Sequence, residues 1–317
     1  MKNLSLLFLV FCAALEAAPV TDLAFPGEGE KLISTGRKQL QILFLATGKR
    51  DMVPCEMQRL LSLAIDSRSR FVVLGGGSPG ERGMATVLDW QTKKVVQRET
   101  NFRDWVTCVA LKPDDAYFVA GSADATAQIY PVSSASDKDA AITLKGHTGP
   151  VLGAAWSPDS ELIVTASADR SLKVWRAVDG TLLRSLPHHT EAVHTVVFYP
   201  GKADSPLAQC ASGSDDQTVR IWQPKIGRMV RIIRGHEGPI FALAYSPDGS
   251  ALFSAGKEGI IRKLDPNSDR ILGEWKEHQD AIYSLAFDST GEHLASGDWS
   301  GAIKLWRFKN GNLEANP

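Results

Sequence analysis

Apolar residues recur along this chain in short strand-like segments at a regular interval. Segments 149–159, 238–248 and 280–290 superimpose without gaps, and four further segments follow the same pattern. The first apolar residues of the seven copies are Val20, Leu60, Val106, Val151, Val193, Ile240 and Ile282. The steps between them run from 40 to 47 residues. A fixed period of this size is typical of repeat architectures.

The fourth copy predicts the internal structure of one repeat. It contains four β-rich runs, at residues 151–156, 161–167, 171–175 and 181–186, and turn-forming residues separate them. A single four-stranded sheet cannot bury both of its faces, whereas sheets stacked radially about a channel can. The sequence therefore predicts an all-β, seven-bladed β-propeller with four-stranded antiparallel blades. A β-sandwich is the main alternative, but it does not explain the period.

Recurring polar residues give the repeats a more specific character. Gly146-His147, Ser157-Pro158-Asp159, Asp169 and Trp175 look like the signature of the WD-repeat (WD40) family. Repeats four to seven resemble that family closely, and repeats one to three resemble it mainly in their strand pattern. The resemblance implies a propeller that binds other macromolecules.

Four histidines occupy the same phase of successive repeats. The resemblance implies that each one hydrogen-bonds within its own blade to a strand hydroxyl and a turn Asp, with a Trp indole at the end. A metal or acid–base site is the competing interpretation, but a closed polar network suits buried groups that recur with the repeat. The residues assigned to the structural hydrogen-bond network are His147, Thr165, Asp169, Trp175, His189, Ser212, Asp216, Trp222, His236, Ser254, His278, Ser296 and Trp306.

Some repeats depart from this set. In repeat six, Glu258 and Leu264 replace the Asp and the Trp, and in repeat seven Ser300 is expected at the Asp position. Repeat three keeps Asp124 but has Tyr130 and no His. Repeats one and two keep none of the set convincingly, and we expect those early blades to be the least rigid part of the ring.

The resemblance also implies which face binds a partner. Exposed positions there flank the first apolar residue of each inner strand or precede the turn Asp. The predicted partner-binding residues are Trp299, Tyr283, Phe241, Lys257, His194 and Trp105, and repeats one and two contribute Arg37, Arg59 and Leu61 at the same face. Aromatic residues with charged neighbours are typical of binding hot spots. The alternative is that these rings are buried in the channel or between blades.

The N-terminus predicts export. Lys2 precedes an apolar run from Leu4 to Leu15, and small residues follow at Ala17-Ala18, as in a secretory signal peptide. Residues 1–17 are therefore expected to be a signal peptide and 18–317 one propeller domain of an exported, bacterial-type member (periplasmic or secreted). If Leu6 to Phe11 is instead an outer strand that closes the ring, the protein is cytoplasmic. Residues 312–314 are the alternative closing strand.

Charge and motif content bear on function mainly by exclusion. The net charge is −1, so no global field favours nucleic acid, and no membrane insertion is expected after signal removal. Gly75, Gly77 and Gly80 match a dinucleotide-binding pattern, but the segment that follows predicts a strand and not the required helix. We expect no catalytic residue, metal or cofactor, and we interpret the chain as a monomeric, non-catalytic scaffold for a protein or peptide. An enzyme or small-ligand binder that uses the channel is the alternative.

Overall fold

The computed structural model describes residues 18–27, 29–78, 82–132, 141–201, 209–309 and 312–315. Every regular element within these ranges is a β-strand. The strands pair antiparallel, and each repeat contributes four strand segments in chain order. The prediction of an all-β chain with four-stranded antiparallel sheets is therefore confirmed for the described residues.

The first two repeats share one sheet of seven strands. These are β1 (Leu23–Ala24), β2 (Lys31–Thr35), β3 (Arg37–Phe44), β4 (Arg50–Ile65), β5 (Phe71–Gly77), β6 (Gly83–Asp89) and β7 (Val95–Glu99). Strand β4 is long because residues 50–54 pair with β3 and residues 59–65 pair with β5. It is thus the outer strand of the first repeat and the inner strand of the second.

The remaining repeats form five separate four-stranded sheets, and each of these is called by the number of its repeat, from the third sheet to the seventh. The third repeat contains β8 (Val106–Leu111), β9 (Tyr117–Ser122), β10 (Thr126–Pro131) and β11 (Ile142–Lys145). The fourth contains β12 (Val151–Trp156), β13 (Leu162–Ser167), β14 (Leu172–Arg176) and β15 (Leu182–Leu186). The fifth contains β16 (Val193–Phe198), β17 (Cys210–Ser214), β18 (Val219–Gln223) and β19 (Arg228–Ile233). The sixth contains β20 (Ile240–Tyr245), β21 (Leu252–Gly256), β22 (Ile260–Leu264) and β23 (Ile271–Lys276). The seventh contains β24 (Ile282–Phe287), β25 (His293–Asp298), β26 (Ile303–Lys309) and β27 (Asn312–Ala315).

The hydrophobic core lies between neighbouring sheets. In one cluster, Val164 of the fourth sheet packs with Val193 and Trp222 of the fifth. Between the third and fourth sheets, the indole N–H of Trp156 donates a hydrogen bond to the carbonyl of Ala110 at 3.0 Å. Each sheet therefore buries its apolar faces against the next sheet in sequence, which explains why the period is retained along the chain.

A glycine recurs where one inner strand meets the next sheet. A Cβ on Gly121 would lie 2.7 Å from Cγ1 of Val151, and a Cβ on Gly297 would lie 2.3 Å from Cγ1 of Val20. Only a residue without a side chain allows this approach. The first joint connects the third and fourth sheets, and the second places the start of the chain against the seventh sheet.

Hydrogen bonds also link the first and last repeats. The amide of Val20 donates to the carbonyl of Asp298 at 3.1 Å. The carboxylate of Asp22 accepts hydrogen bonds from the hydroxyls of Ser62, at 2.8 Å, and Ser284, at 3.3 Å. Asp22 therefore connects the first, second and seventh repeats.

The outer strand of the seventh sheet comes from the C-terminal side. Strand β27 pairs with β26, with Leu313 opposite Phe308 and Asn312 opposite Lys309. The structure thus places residues 312–315 where the C-terminal alternative predicts them. The signal peptide at 1–17 and the alternative strand from Leu6 to Phe11 lie outside the described residues. The described part of the chain contains no helix that is long and apolar enough to cross a membrane.

Candidate partner-binding face

A β-bulge recurs near the start of the inner strand in repeats two to seven. In the seventh repeat the pairing jumps from Ile282 to Ser284, and in the sixth it jumps from Ile240 to Ala242. The residues left out of register are Leu61, Thr107, Leu152, His194, Phe241 and Tyr283. These are positions assigned to the partner face from the sequence. A bulge changes the direction of a side chain, so the fold itself sets these residues apart from the core.

Four of the predicted residues form a continuous row across the fifth, sixth and seventh sheets. The ring of His194 meets Phe241 edge-on with centroids 4.9 Å apart, and Phe241 stacks on Tyr283 at 4.6 Å. Tyr283 in turn contacts Trp299, with centroids 5.4 Å apart and planes inclined by 42°. We call His194, Phe241, Tyr283 and Trp299 the aromatic row.

The aromatic row is only partly covered by the protein. Trp299 is 49% exposed, and the other three members are half-buried. Trp299 is therefore the most exposed ring of the aromatic row, and its neighbours cover much of the other three. Burial raises the pKa of Tyr283, and the nearby charges of Asp280 and Asp215 raise it further.

Charged residues lie beside the row. His194 Nε2 is 2.7 Å from a carboxylate oxygen of Asp215, which fixes the imidazole on the adjacent turn. Lys257 is exposed, and its amide donates to the carbonyl of Pro239 at 2.9 Å. The same turn hydrogen bond joins Trp299 to Ala281.

Trp105 is separate from the row. It lies on the third repeat, where its indole N–H donates to the carbonyl of Ser78 at 3.1 Å. The guanidinium of Arg59 lies over its ring, 5.6 Å from the centroid. The structure thus divides the predicted residues between the aromatic row with its charged neighbours and a second group around Trp105.

The fourth repeat contains the complete hydrogen-bond network implied by the resemblance. His147 Nδ1 lies 2.8 Å from Asp169, and its Nε2 lies 2.7 Å from the hydroxyl of Thr165. That hydroxyl also accepts a hydrogen bond from the Trp175 indole at 2.8 Å. Burial alone would raise the pKa of Asp169, but hydrogen bonds from Ser171, the Thr148 amide and His147 lower it to about 2. Burial lowers the pKa of His147, so at neutral pH a neutral imidazole donates to a carboxylate.

The fifth repeat has the same arrangement. His189 is 2.7 Å from both Asp216 and Ser212, and the Trp222 indole donates to Ser212 at 2.8 Å. Burial lowers the pKa of His189 as well. These groups satisfy one another's hydrogen bonds within the blade.

In the seventh repeat the structure corrects the expected position of the carboxylate. His278 Nδ1 lies 2.7 Å from Asp298, not from Ser300, and Nε2 lies 2.7 Å from Ser296. The Trp306 indole donates to Ser296 at 2.9 Å. Ser300 donates to Asp298 at 2.7 Å, so the serine and aspartate of this turn have exchanged places relative to the fourth repeat. Sequence reasoning missed Asp298 because it aligned the turn by position alone.

The sixth repeat uses an arginine that the sequence did not single out. His236 Nε2 lies 2.8 Å from Ser254, but its Nδ1 accepts from the guanidinium of Arg262 at 2.8 Å. Arg262 is 3% exposed and also donates to Glu258 and Glu274, at 2.9 and 2.7 Å. Burial and the charge of Arg262 lower the pKa of His236 to about 4. Leu264 fills the Trp position and is fully buried.

The third repeat replaces the network with apolar packing. Phe102 occupies the position that holds the histidine in later repeats, four residues before Val106. Its ring contacts that of Tyr130, with centroids 6.1 Å apart. Phe118 stacks on Tyr130 at 5.5 Å. An aromatic cluster therefore takes the place of the hydrogen-bond network in this repeat.

The glycine pattern and the clustering of metal-ligating side chains bear on the chemical alternatives. Gly75 and Gly77 end β5, and β6 follows at Gly83, so a strand and not a helix comes after the glycine pattern, while Gly80 lies outside the described residues. Within the described ranges, no group of three or more His, Cys, Asp or Glu side chains is placed to hold a metal ion.

Comparison with known proteins bears on the family. The family model described as "WD domain, G-beta repeat" matches residues 94–130, 139–176, 180–223, 227–264 and 269–307. Repeat one and most of repeat two lie outside these matches. The chain is 24% identical over 258 residues to periodic tryptophan protein 2 of Arabidopsis thaliana, covering 81% of this chain and 27% of that protein.

Two further relatives match shorter segments. A guanine nucleotide-binding protein subunit beta of Oryza sativa subsp. indica is 30% identical over 168 residues, covering 51% of this chain and 44% of the relative. The U5 small nuclear ribonucleoprotein 40 kDa protein of Dictyostelium discoideum is 33% identical over 122 residues, covering 38% and 33%. The chain thus spans less than half the length of each of these three curated relatives.

Proposed function

This chain belongs to the WD40 repeat family, and from that premise we propose that it is a non-catalytic scaffold, which binds a protein or peptide through the aromatic row. The observation that carries this proposal is the continuity of the row. Four rings on three sheets contact one another in sequence, and the largest of them is 49% exposed.

The energetics of exposed aromatic rings support a binding role. A half-buried ring held in place by its neighbours loses little conformational freedom when a partner covers it, and clustered Trp and Tyr residues dominate many interfaces. Bulged positions on rigid strands also fix the direction of each ring before binding. We therefore expect Tyr283 and Trp299 to contribute most to affinity.

The names of two relatives agree with a role in assemblies. One names a protein as the beta subunit of a guanine nucleotide-binding protein, and another names a component of a small nuclear ribonucleoprotein. Neither name identifies a partner for this chain.

We also propose that the repeats close into a seven-bladed ring. The glycine joint between Gly297 and Val20 repeats the joint between Gly121 and Val151, and Asp22 is hydrogen-bonded to both the second and the seventh repeats. Small-angle scattering tests this proposal, because a closed ring has a single compact pair-distance distribution with no tail.

We propose further that the protein is a monomer and an exported, bacterial-type member of the family, and that its N-terminal segment directs the export. The support is the pattern of Lys2, the apolar run and the small residues at 17–18. Strand β27 is the fourth strand of the seventh sheet. Intact-mass measurement of fractionated bacterial cells decides between export, with the first 14–18 residues removed, and a full-length cytoplasmic protein.

A pull-down tests the scaffold proposal. The double variant Trp299→Ala, Tyr283→Ala should fold normally and lose most of the partners that the wild-type protein recovers, as measured by quantitative mass spectrometry. Tyr117→Ala is the matched control, because Tyr117 is a 39% exposed aromatic residue that makes no ring contact with the row. If the double variant recovers the same partners as the control, the assignment of the row is wrong.

A further inference from the structure

Carboxylates border the aromatic row on the loops that lead into the inner strands of the fifth, sixth and seventh sheets. Glu191, Glu237 and Asp280 each lie two or three residues before the first residue of an inner strand. Asp215 lies on a neighbouring turn, where its amide donates to the carbonyl of Ala192 at 2.9 Å. Glu191 and Glu237 are exposed, and Asp215 and Asp280 are half-buried. The loops beside the row therefore carry several negative charges.

Two of these carboxylates are held in place close to the rings. His194, a member of the row, places its Nε2 2.7 Å from Oδ1 of Asp215, and the amide of Ala281 donates to Oδ1 of Asp280 at 2.7 Å. Burial raises the pKa of the Tyr283 phenol, and the charges of these two carboxylates raise it further. In the part of the chain that the structure describes, neither carboxylate forms an ion pair with a lysine or an arginine. Two oriented negative charges are thus available near Tyr283.

Two basic residues, Lys257 and Arg234, also lie on these loops and turns. A Cβ on Gly238 would lie 3.3 Å from Cβ and 3.9 Å from Cδ of Lys257, so the lysine stem runs along the loop of the sixth repeat. Arg234 directly follows β19, the outer strand of the fifth sheet. Each therefore has a position of its own, and the carboxylates near Tyr283 are open to a cation from another molecule.

We propose that the partner segment which covers the aromatic row is a basic peptide. One lysine or arginine of this peptide places its charged head beside Asp215 and Asp280. The methylene stem of that residue lies along Phe241 and Tyr283, whose rings are inclined by only 7° with centroids 4.6 Å apart and so form this surface before binding. The inference rests on the proposed scaffold function and names the chemistry of the partner segment.

Charge complementarity favours this occupant over others. The stems of lysine and arginine are apolar and their heads are charged, so they suit an aromatic surface that is bordered by carboxylates. The charged head forms strong hydrogen bonds with a carboxylate and is attracted to nearby aromatic rings. An acidic side chain would be repelled here, and a purely apolar one would remove water from the carboxylates without replacing its hydrogen bonds.

Selection from a random library tests the inference without knowledge of the natural partner. Phage-displayed random 12-residue peptides are panned on the full-length wild-type protein, and selected peptides are synthesised for titration by fluorescence polarisation. We expect the selected peptides to share a Lys or Arg next to an apolar or aromatic residue.

Variants of the protein test the role of the two carboxylates. The double variant Asp215→Asn, Asp280→Asn keeps the shape and an acceptor oxygen of each side chain, and it should bind the selected peptides more weakly by about tenfold or more. Asp269→Asn is the matched control, because Asp269 is exposed between β22 and β23, at the end of β22 opposite the turn of Lys257. The control should leave the affinity within about twofold.

A change in the peptide separates charge from shape. The Lys of a selected peptide is replaced by norleucine, or its Arg by citrulline, and each neutral peptide is compared with its parent. The neutral peptide should bind the wild-type protein more weakly by about tenfold, and it should bind the double variant nearly as well as the parent does. The comparison on the wild-type protein does not depend on how the variants fold.

Several outcomes would overturn the inference. These are selected peptides without a Lys or Arg, neutral peptides that bind the wild-type protein as tightly as their parents, basic peptides that bind the double variant and the Asp269→Asn protein equally, and a library that yields no binder. Wild-type self-association in sedimentation that the double variant abolishes would identify a second copy of the chain as the occupant instead. If these results occur while the Trp299→Ala, Tyr283→Ala protein still loses its partners, the scaffold function stands and only the basic anchor is wrong.

Discussion

The carboxylate of the seventh repeat gives a sharp test of the internal network. We expect Asp298→Ala to destabilise the protein far more than Ser300→Ala, although Ser300 occupies the position at which other repeats carry their aspartate. Asp298 accepts hydrogen bonds from His278 Nδ1 at 2.7 Å, from the Ser300 hydroxyl at 2.7 Å and from the Ala302 amide at 2.9 Å. It is 2% exposed, whereas Ser300 is exposed.

The magnitude follows from the groups that lose their partner. The His278 side chain is 0% exposed, so the loss of Asp298 leaves a buried N–H donor unsatisfied, at a cost of about 1–3 kcal/mol. The unpaired turn amide of Ala302 adds about 1 kcal/mol. We therefore expect the free energy of unfolding to fall by about 2–4 kcal/mol in Asp298→Ala. Ser300→Ala removes one hydrogen bond at the surface, so its loss should be about 1 kcal/mol or less.

Urea unfolding followed by tryptophan fluorescence measures both losses. Asp169→Ala in the fourth repeat calibrates the experiment, because Asp169 makes the equivalent contacts with His147 and the turn. A Ser300→Ala loss equal to or larger than that of Asp298→Ala would refute the reasoning. A shared slope of unfolding free energy against urea is required before the midpoints are compared.

Three other changes test the packing and the electrostatics. The pKa of His236 is lowered to about 4, so its contribution to the free energy of unfolding is present above the ordinary value near 6.5 and is lost as pH falls through 4. Between pH 7 and pH 4, urea titrations should show that the free energy of unfolding falls by up to about 3 kcal/mol more in the wild-type protein than in His236→Asn. Trp222→Phe removes the indole donor to Ser212 and should cost about 1–2 kcal/mol in urea unfolding, and no loss would contradict the network. Gly256→Ala would place a Cβ 1.9 Å from the Pro239 carbonyl oxygen, so its melting temperature should fall by several degrees, equivalent to about 2–3 kcal/mol, and an unchanged melting temperature would contradict the close approach.

The strand pattern was predictable from the sequence, and the family resemblance implied the polar network, which is physically reasonable for buried groups. An inner strand must bury its apolar residues against the next sheet, and a buried histidine must find a hydroxyl and a carboxylate, so both requirements recur at fixed spacing. His147 and His189 have the expected partners. Substitutes that meet the same requirement with other residues were not predictable, because the pattern specifies positions and not contacts.

Arg262 and Phe102 illustrate the limit. A buried guanidinium donates to Nδ1 of His236 and disfavours protonation of the imidazole, and two carboxylates balance the charge of the guanidinium. An aromatic cluster replaces the polar network altogether in the third repeat. Either arrangement fills the interior of its blade and leaves the blade packed without the expected residue.

The turn that carries Trp299 does not need a large side chain for its own packing. The same backbone hydrogen bond to the residue before the inner strand is made by Trp299, Ala123, Ala168 and Lys257. Because alanine satisfies this turn in two repeats, the fold does not require a large ring there. A Trp that is 49% exposed gains little from burial within the chain itself. The ring is fully buried only when another molecule covers it. Substitution of Trp299 therefore distinguishes a partner-binding role from a structural role more clearly than substitution of any other residue of the aromatic row.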